Sequence, residues 1–144
     1  MLTEALKEEI QTAYSRLLEE KGYRARQCQK IMIAEIARTL GNVPEDNSIC
    51  VVEAGTGTGK TIAYAMASIP IAKQLKKKIV IATATVALQE QIVYQDLPDI
   101  RRHSGLEFSF ALAKGRRRYL CLSRLDLALQ DGSQGNQTFS FFDN

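Results

Sequence analysis

Near the start of the chain, apolar positions Leu6, Ile10, Tyr14, Leu17 and Leu18 recur every three or four residues. Lys7, Glu8, Glu9, Arg16, Glu19 and Glu20 fall between them. That spacing places one apolar stripe on a helix over about Thr3–Lys21, which Gly22 ends. Met32, Ile36 and Leu40 form the stripe of a second helix over about Gln27–Leu40, with Gly41 as its stop. Asn42–Ser48 holds Pro44 and two acids and reads as a surface loop.

The period then changes. Ile49–Glu53 (ICVVE) is short, β-branched and almost wholly apolar, the pattern of a strand buried on both faces. A glycine loop and a helix follow. Lys76–Lys78, read as a solvated turn, lead into a second such run, Ile79–Thr83 (IVIAT). A helix is expected over about Val86–Tyr94, with Pro98 marking its end. Glu107–Ala113 (EFSFALA) alternates like a third strand, and Tyr119–Leu129 reads as helical. Strands alternating with helices predict an α/β fold: a parallel sheet with flanking helices and right-handed crossovers, preceded by the two N-terminal helices. From Asp131 to Asn144 the chain turns to Gly, Ser, Gln and Asn, then three Phe.

Composition narrows this little. At 144 residues, 45% hydrophobic and 24% charged, the chain suits one globular domain with a real core. Nineteen Lys and Arg against sixteen Asp and Glu give +3, which permits a nucleic-acid partner without arguing for one. Cys28, Cys50 and Cys121 are too few for a disulfide framework and fit a reducing compartment. Cys28 and Cys50 are expected to be small buried hydrophobes. The opening MLTEALKEEI does not read as a signal peptide. The most apolar stretch, Ile62–Ala72, falls short of the roughly 18 residues of a membrane span. A soluble, cytoplasmic chain is expected, with no membrane partner.

The strongest chemical signal is Ala54-Gly55-Thr56-Gly57-Thr58-Gly59-Lys60-Thr61, between an expected strand and an expected helix. That is the context of a phosphate-binding P-loop. Gly55, Gly57 and Gly59 let the backbone curl until several N–H groups face one concavity, and the helix start adds its partial positive charge. Lys60 is suited to the β and γ phosphates of a nucleotide and the Thr61 hydroxyl to Mg²⁺. Ala54 replaces the usual first glycine, which is tolerated where the backbone needs no positive φ. Upstream, Arg26, Gln29 and Met32 lie on the second helix, and a Gln amide can both donate to and accept from an adenine edge.

These residues carry a resemblance. Arg26, Gln29 and Met32 with Glu53–Thr61 (EAGTGTGKT) resemble the Q motif and motif I of superfamily-two helicases. Thr83–Ile92 (TATVALQEQI) resembles motif Ia of the DinG family, the bacterial iron–sulfur relatives of the XPD repair helicase. Asp96-Leu97-Pro98 and Lys114–Cys121 (KGRRRYLC) are similar to further segments of that family. The resemblance covers about Ala25–Leu125. It implies a partial RecA-like P-loop NTPase domain. It also implies ATP-driven 5′-to-3′ movement on single-stranded DNA, with unwinding of forks, repair and recombination intermediates and RNA–DNA hybrids by a protein monomeric when intact. By position, Arg26 and Gln29 would read adenine and Thr56–Thr61 would hold phosphates and Mg²⁺. Thr83, Thr85 and the start of the Val86 helix would touch DNA phosphate. Arg116, Arg117 and Tyr119 would bind single-stranded DNA. Cys121 would be the first of four cysteine ligands of a [4Fe-4S] cluster. The implied organisation is N-terminal helices over 1–45, the first half of an ATP-binding domain over 46–113, and the start of an iron–sulfur insertion over 114–144.

The pattern is incomplete. Phosphoryl transfer in such motors uses an Asp-Glu-x-His motif, and no such motif occurs. Phe139–Asp143 imitates its strand, but Asn144 stands where the glutamate belongs. The chain therefore reads as the N-terminal portion of a longer helicase, itself without turnover, marginally stable and prone to aggregate. A P-loop kinase or phosphotransferase with Arg116–Arg118 as a lid, and a non-catalytic nucleotide-binding remnant, remain open alternatives.

Overall fold

The computed structural model describes residues 2–41 and 49–132. The expected loop over Asn42–Ser48 and the Phe139–Asp143 segment lie outside the described residues. The chain divides into two units, Met1–Ala111 and Leu112–Asn144.

In the first unit, α1 (Glu4–Lys21) begins where Thr3 Oγ1 accepts from the Leu6 N–H at 3.3 Å. It ends where Gly22 turns left-handed at φ 62°, a region a Cβ disfavours. The apolar stripe is buried as Leu6, Ile10, Ala13, Tyr14 and Leu17. The second helix, α2 (Gln27–Gly41), buries Gln29, Met32, Ile33 and Ala37, with Ile36 and Leu40 packed against the core edge. Because Gln29 takes the inward position, Cys28 points outward and is exposed, contrary to expectation.

The centre of the core is α3 (Lys60–Gln74), whose Ala63, Ala65, Met66, Ala67, Ile69, Pro70 and Ile71 are all buried. A helix apolar on most of its surface belongs inside, and α1 and α2 pack against it. Small alanines let the neighbouring helices approach. Pro70 lies within α3 and brings no N–H to the helical ladder.

Beyond it, α4 (Val86–Gln91) does not end near Tyr94. It passes through a π-helical turn, Ile92–Asp96, into α5 (Leu97–His103). The wide turn closes with the Leu97 N–H on the Ile92 carbonyl. Pro98 sits in the first turn of α5, directly after the wide turn, and the helical backbone continues through it rather than ending there. Polar side chains tie α1 to α5: Lys21 Nζ lies 2.6 Å from Asp99 Oδ2, and His103 Nδ1 lies 3.0 Å from Glu20 Oε2.

The expected parallel sheet is not formed among the described residues. Ile49–Glu53, Ile79–Thr83 and Glu107–Ala113 run without helix or strand ladder. Val51 and Val80 are 90% and 89% exposed, and Cys50 is exposed with them rather than buried. A strand exists only through hydrogen bonds to a neighbour, and these segments do not pair with one another. The alternation of the third segment is nonetheless real. Leu106 is buried and Phe108 packs on the core, while Glu107 and Ser109 face outward.

In the second unit, a 3-10 turn, Arg116–Arg118, precedes α6 (Leu122–Gly132), so the helix begins three residues later than expected. Among the described residues, no helix is long and apolar enough to cross a membrane.

Candidate phosphate-binding site

The loop before α3 takes the shape its glycines permit. Gly57 and Gly59 adopt φ 76° and 77°, both left-handed, whereas Ala54 does not, which explains why alanine is accepted there. Gly59 caps α3 without any side-chain cap, so side chains leave the first N–H groups of the helix free for an anion. Thr58 Oγ1 donates to the Gly55 carbonyl at 2.9 Å and tightens the turn. Lys60 Nζ donates to the carbonyls of Ala54 and Gly55, both at 2.9 Å, which sets the ammonium over the loop.

The loop is held from behind. Arg26 Nη1 donates to the Gly57 carbonyl. Gln29 Nε2 donates to the carbonyls of Thr58 and Gly59, each at 3.2 Å. In a planar trans peptide, C=O and N–H point in opposite directions. Holding the carbonyls of residues 57, 58 and 59 on one side therefore turns the N–H groups of Thr58, Gly59 and Lys60 to the other. Consecutive N–H groups aimed together form an anion-binding nest. A Cβ at Gly59 would stand 2.1 Å from Gln29 Nε2, so the amide would have to move away from the loop.

Gln29 is 5% exposed, and its amide oxygen accepts from Tyr14 Oη at 2.6 Å. Sequence reasoning assigned Tyr14 only to the apolar stripe of α1. The available signal was Gln29 itself: an amide on the buried face of a helix requires partners. Burial pushes the Tyr14 phenol above its ordinary value, so it remains a donor, although the Arg26 backbone pulls the other way. Thr61 is half-buried on the first turn of α3. Nearby, burial also raises the Tyr64 phenol, with Thr61 opposing.

The remaining candidates belong to other segments of the chain. Thr83 Oγ1 donates to the Thr85 carbonyl at 3.2 Å, and Thr85 Oγ1 caps α4 by accepting from the Leu88 N–H at 3.2 Å. In the second unit, Arg116 and Arg117 are exposed, and Tyr119 Oη accepts from the Lys114 N–H at 2.8 Å. Cys121 is an exposed free thiol. Among the described residues, no three His, Cys, Asp or Glu side chains gather as a metal site.

Comparison with known proteins agrees with the motifs. Residues 26–128 match the family described as DEAD/DEAH box helicase. The chain is 44% identical over 128 residues to the ATP-dependent DNA helicase DinG of Photobacterium profundum, covering 88% of this chain and 18% of that protein. It is 36% identical over 144 residues to the ATP-dependent DNA helicase DinG of Escherichia coli, covering 99% and 20%. Against the ATP-dependent DNA helicase YoaA of Haemophilus influenzae it is 39% identical over 118 residues, covering 82% and 17%. The chain thus spans about a fifth of the length of these relatives. With the braced glycine loop inside the matched region, the chain belongs to the DEAD/DEAH box helicase family.

Proposed function

We propose that this chain binds Mg²⁺-ATP in the loop Ala54–Thr61 as the nucleotide-binding part of an ATP-dependent DNA helicase of the DinG type. The observation that carries the proposal is the row of three braced carbonyls, which turns three successive N–H groups toward one concavity. The residues fit the ligand. The positions of Gly55 and Gly57 are open, so backbone can approach a phosphate closely. Lys60 would neutralise the β and γ phosphates, and the Thr61 hydroxyl would ligate Mg²⁺. Arg26 and Gln29 act on the loop backbone, and the adenine-reading role that the resemblance implies would require the Gln29 amide to exchange these partners for the base. Bound nucleotide supplies the phosphoanhydride bond whose cleavage drives such motors. Without an Asp-Glu-x-His motif, the 144-residue chain by itself would bind without turnover.

The finer features of the proposal rest on the resemblance of the motifs. They are 5′-to-3′ movement on single-stranded or forked DNA, action on RNA–DNA hybrids, a RecA-like sheet formed from the segments starting at Ile49 and Ile79, and a cytoplasmic location. Thr83, Thr85, Arg116, Arg117 and Tyr119 are proposed DNA contacts. A four-iron cluster needs four thiolates. The described residues alone do not fit one, and Cys121 offers a single ligand.

The test is equilibrium binding of Mg²⁺-ADP to the chain. Lys60→Ala should weaken it by at least about tenfold, since a charge-assisted contact is lost. A wild-type chain that binds no adenine nucleotide would sink the proposal. In a longer protein containing this chain, Lys60→Ala should abolish DNA-stimulated ATP hydrolysis while sparing DNA binding.

A further inference from the structure

We infer that Tyr14, on a helix outside the family-matched residues 26–128, is a positioning residue of the phosphate site: its hydroxyl sets nucleotide affinity by anchoring the Gln29 amide that holds the loop. The inference rests on the loop binding nucleotide, as proposed above.

The argument is one of hydrogen-bond capacity. A Gln amide offers two N–H donors and one carbonyl oxygen. Here the amide nitrogen meets two loop carbonyls, Thr58 and Gly59, and the oxygen meets Tyr14. The reverse amide orientation would set its oxygen against two carbonyl oxygens. The Gly59 carbonyl is also the first acceptor of α3, taking the Ala63 N–H at 3.1 Å, so Gln29 is attached to the helix start itself.

Tyr14 contributes in two ways. Its O–H fixes the far end of a side chain with three rotatable bonds, which would otherwise have to be ordered by the loop alone. Donation into the amide oxygen also polarises the amide and strengthens both N–H donors, as in any hydrogen-bonded chain of low dielectric. Tyr14 is itself 6% exposed and wedged in the apolar face of α1, so its oxygen cannot drift. The chain Tyr14, Gln29, Thr58 and Gly59 therefore makes the seating of α1 a determinant of the nest. Tyr14 touches no nucleotide and acts through Gln29.

The test uses the full 144-residue chain with Mg²⁺-ADP as probe. Tyr14→Phe keeps the ring and its packing and removes only the hydroxyl. It should weaken binding about fivefold to tenfold, the worth of one buried hydrogen bond. The side-chain amide protons of Gln29, followed by NMR without nucleotide, should shift and exchange faster with solvent. A structural role confined to packing would move neither. In a Gln29→Leu background, Tyr14→Phe should change affinity less than about twofold, because the mediator is gone. Unchanged affinity and unchanged Gln29 resonances in Tyr14→Phe would overturn the inference. So would a full Tyr14 effect in the Gln29→Leu background. If the wild-type chain binds no Mg²⁺-ADP, the nucleotide-site reading fails, and with it the inferred effect on affinity. The Gln29 resonances then report on the hydrogen bond separately.

Discussion

Replacing Gly57 or Gly59 by alanine separates two costs that a glycine loop usually mixes. Both residues are left-handed, at φ 76° and 77°. An L-residue there pays roughly 1–2 kcal/mol from the clash of its Cβ with backbone. At Gly57 nothing lies within 4 Å of the added carbon, so that strain is the whole effect. At Gly59 the carbon would stand 2.1 Å from Gln29 Nε2, and the amide must leave. Two hydrogen bonds go with it and a buried amide loses its partners, a further loss of roughly 1–3 kcal/mol. Gly59→Ala should therefore unfold at lower urea concentration than Gly57→Ala, by a margin of at least about 1 kcal/mol. In a thermal melt this corresponds to roughly 4 °C for a chain of this size. Gly115→Ala, with ordinary φ and open space, is the control and should stay within about 0.5 kcal/mol of the parent. Adding Gln29→Ala to Gly59→Ala should cost less than the sum of the single changes, since the clash is then already relieved. Equal destabilisation by Gly57→Ala and Gly59→Ala, or strict additivity with Gln29→Ala, would refute the bracing argument.

Other expectations concern the core, the surface and pH. Met66→Ala removes a fully buried side chain from α3 and should cost about 2–5 kcal/mol in urea denaturation, with Leu17→Ala similar. Hydrogen bonds from Arg16 and then His103 hold the Glu20 carboxyl below its ordinary value of 4.5. A lowered acid contributes stability above its unfolded pKa and loses it as pH falls through the folded one. Acid melts below about pH 4.5 should thus lose stability, and Glu20→Gln should flatten that arm; an unchanged arm would remove Glu20 from the account. The chain should self-associate through its uncovered apolar segments, seen as light scattering that grows with concentration. Val51→Lys with Val80→Lys should suppress it. A parent chain that sediments as a monomer at high concentration contradicts this.

The parts that were legible in the sequence are those governed by local rules. Thr3 and Gly22 bracket α1 through cap chemistry, and the glycines at 57 and 59 declare a loop before an apolar helix. What depends on distant partners was not legible. The alternation across Leu106–Phe110 was readable because side-chain period is local, while the ladder was not, because pairing is a property of two segments. Pro98 misled because the helical backbone runs on through it, and the π-helical turn that precedes it leaves no strong sequence mark. The burial expected of Cys28 failed for a comparable reason. The face of α2 that tertiary contacts bury runs through Gln29, Met32, Ile33 and Ala37, which leaves Cys28 outside it. At the site, the loop could be read in one dimension, but its bonds to Arg26 and Gln29 span about thirty residues of chain.

The tethered carbonyls of Gly57, Thr58 and Gly59 also bear on how quickly the loop can capture its ligand. A glycine-rich backbone in solution samples many shapes and must surrender that freedom when an anion docks. Here much of the ordering belongs to the folded chain itself, so docking resembles a key entering a cut lock. Association should then be a single fast phase without a slow isomerisation, and loosening the tethers should appear chiefly as a slower arrival of nucleotide rather than a faster departure.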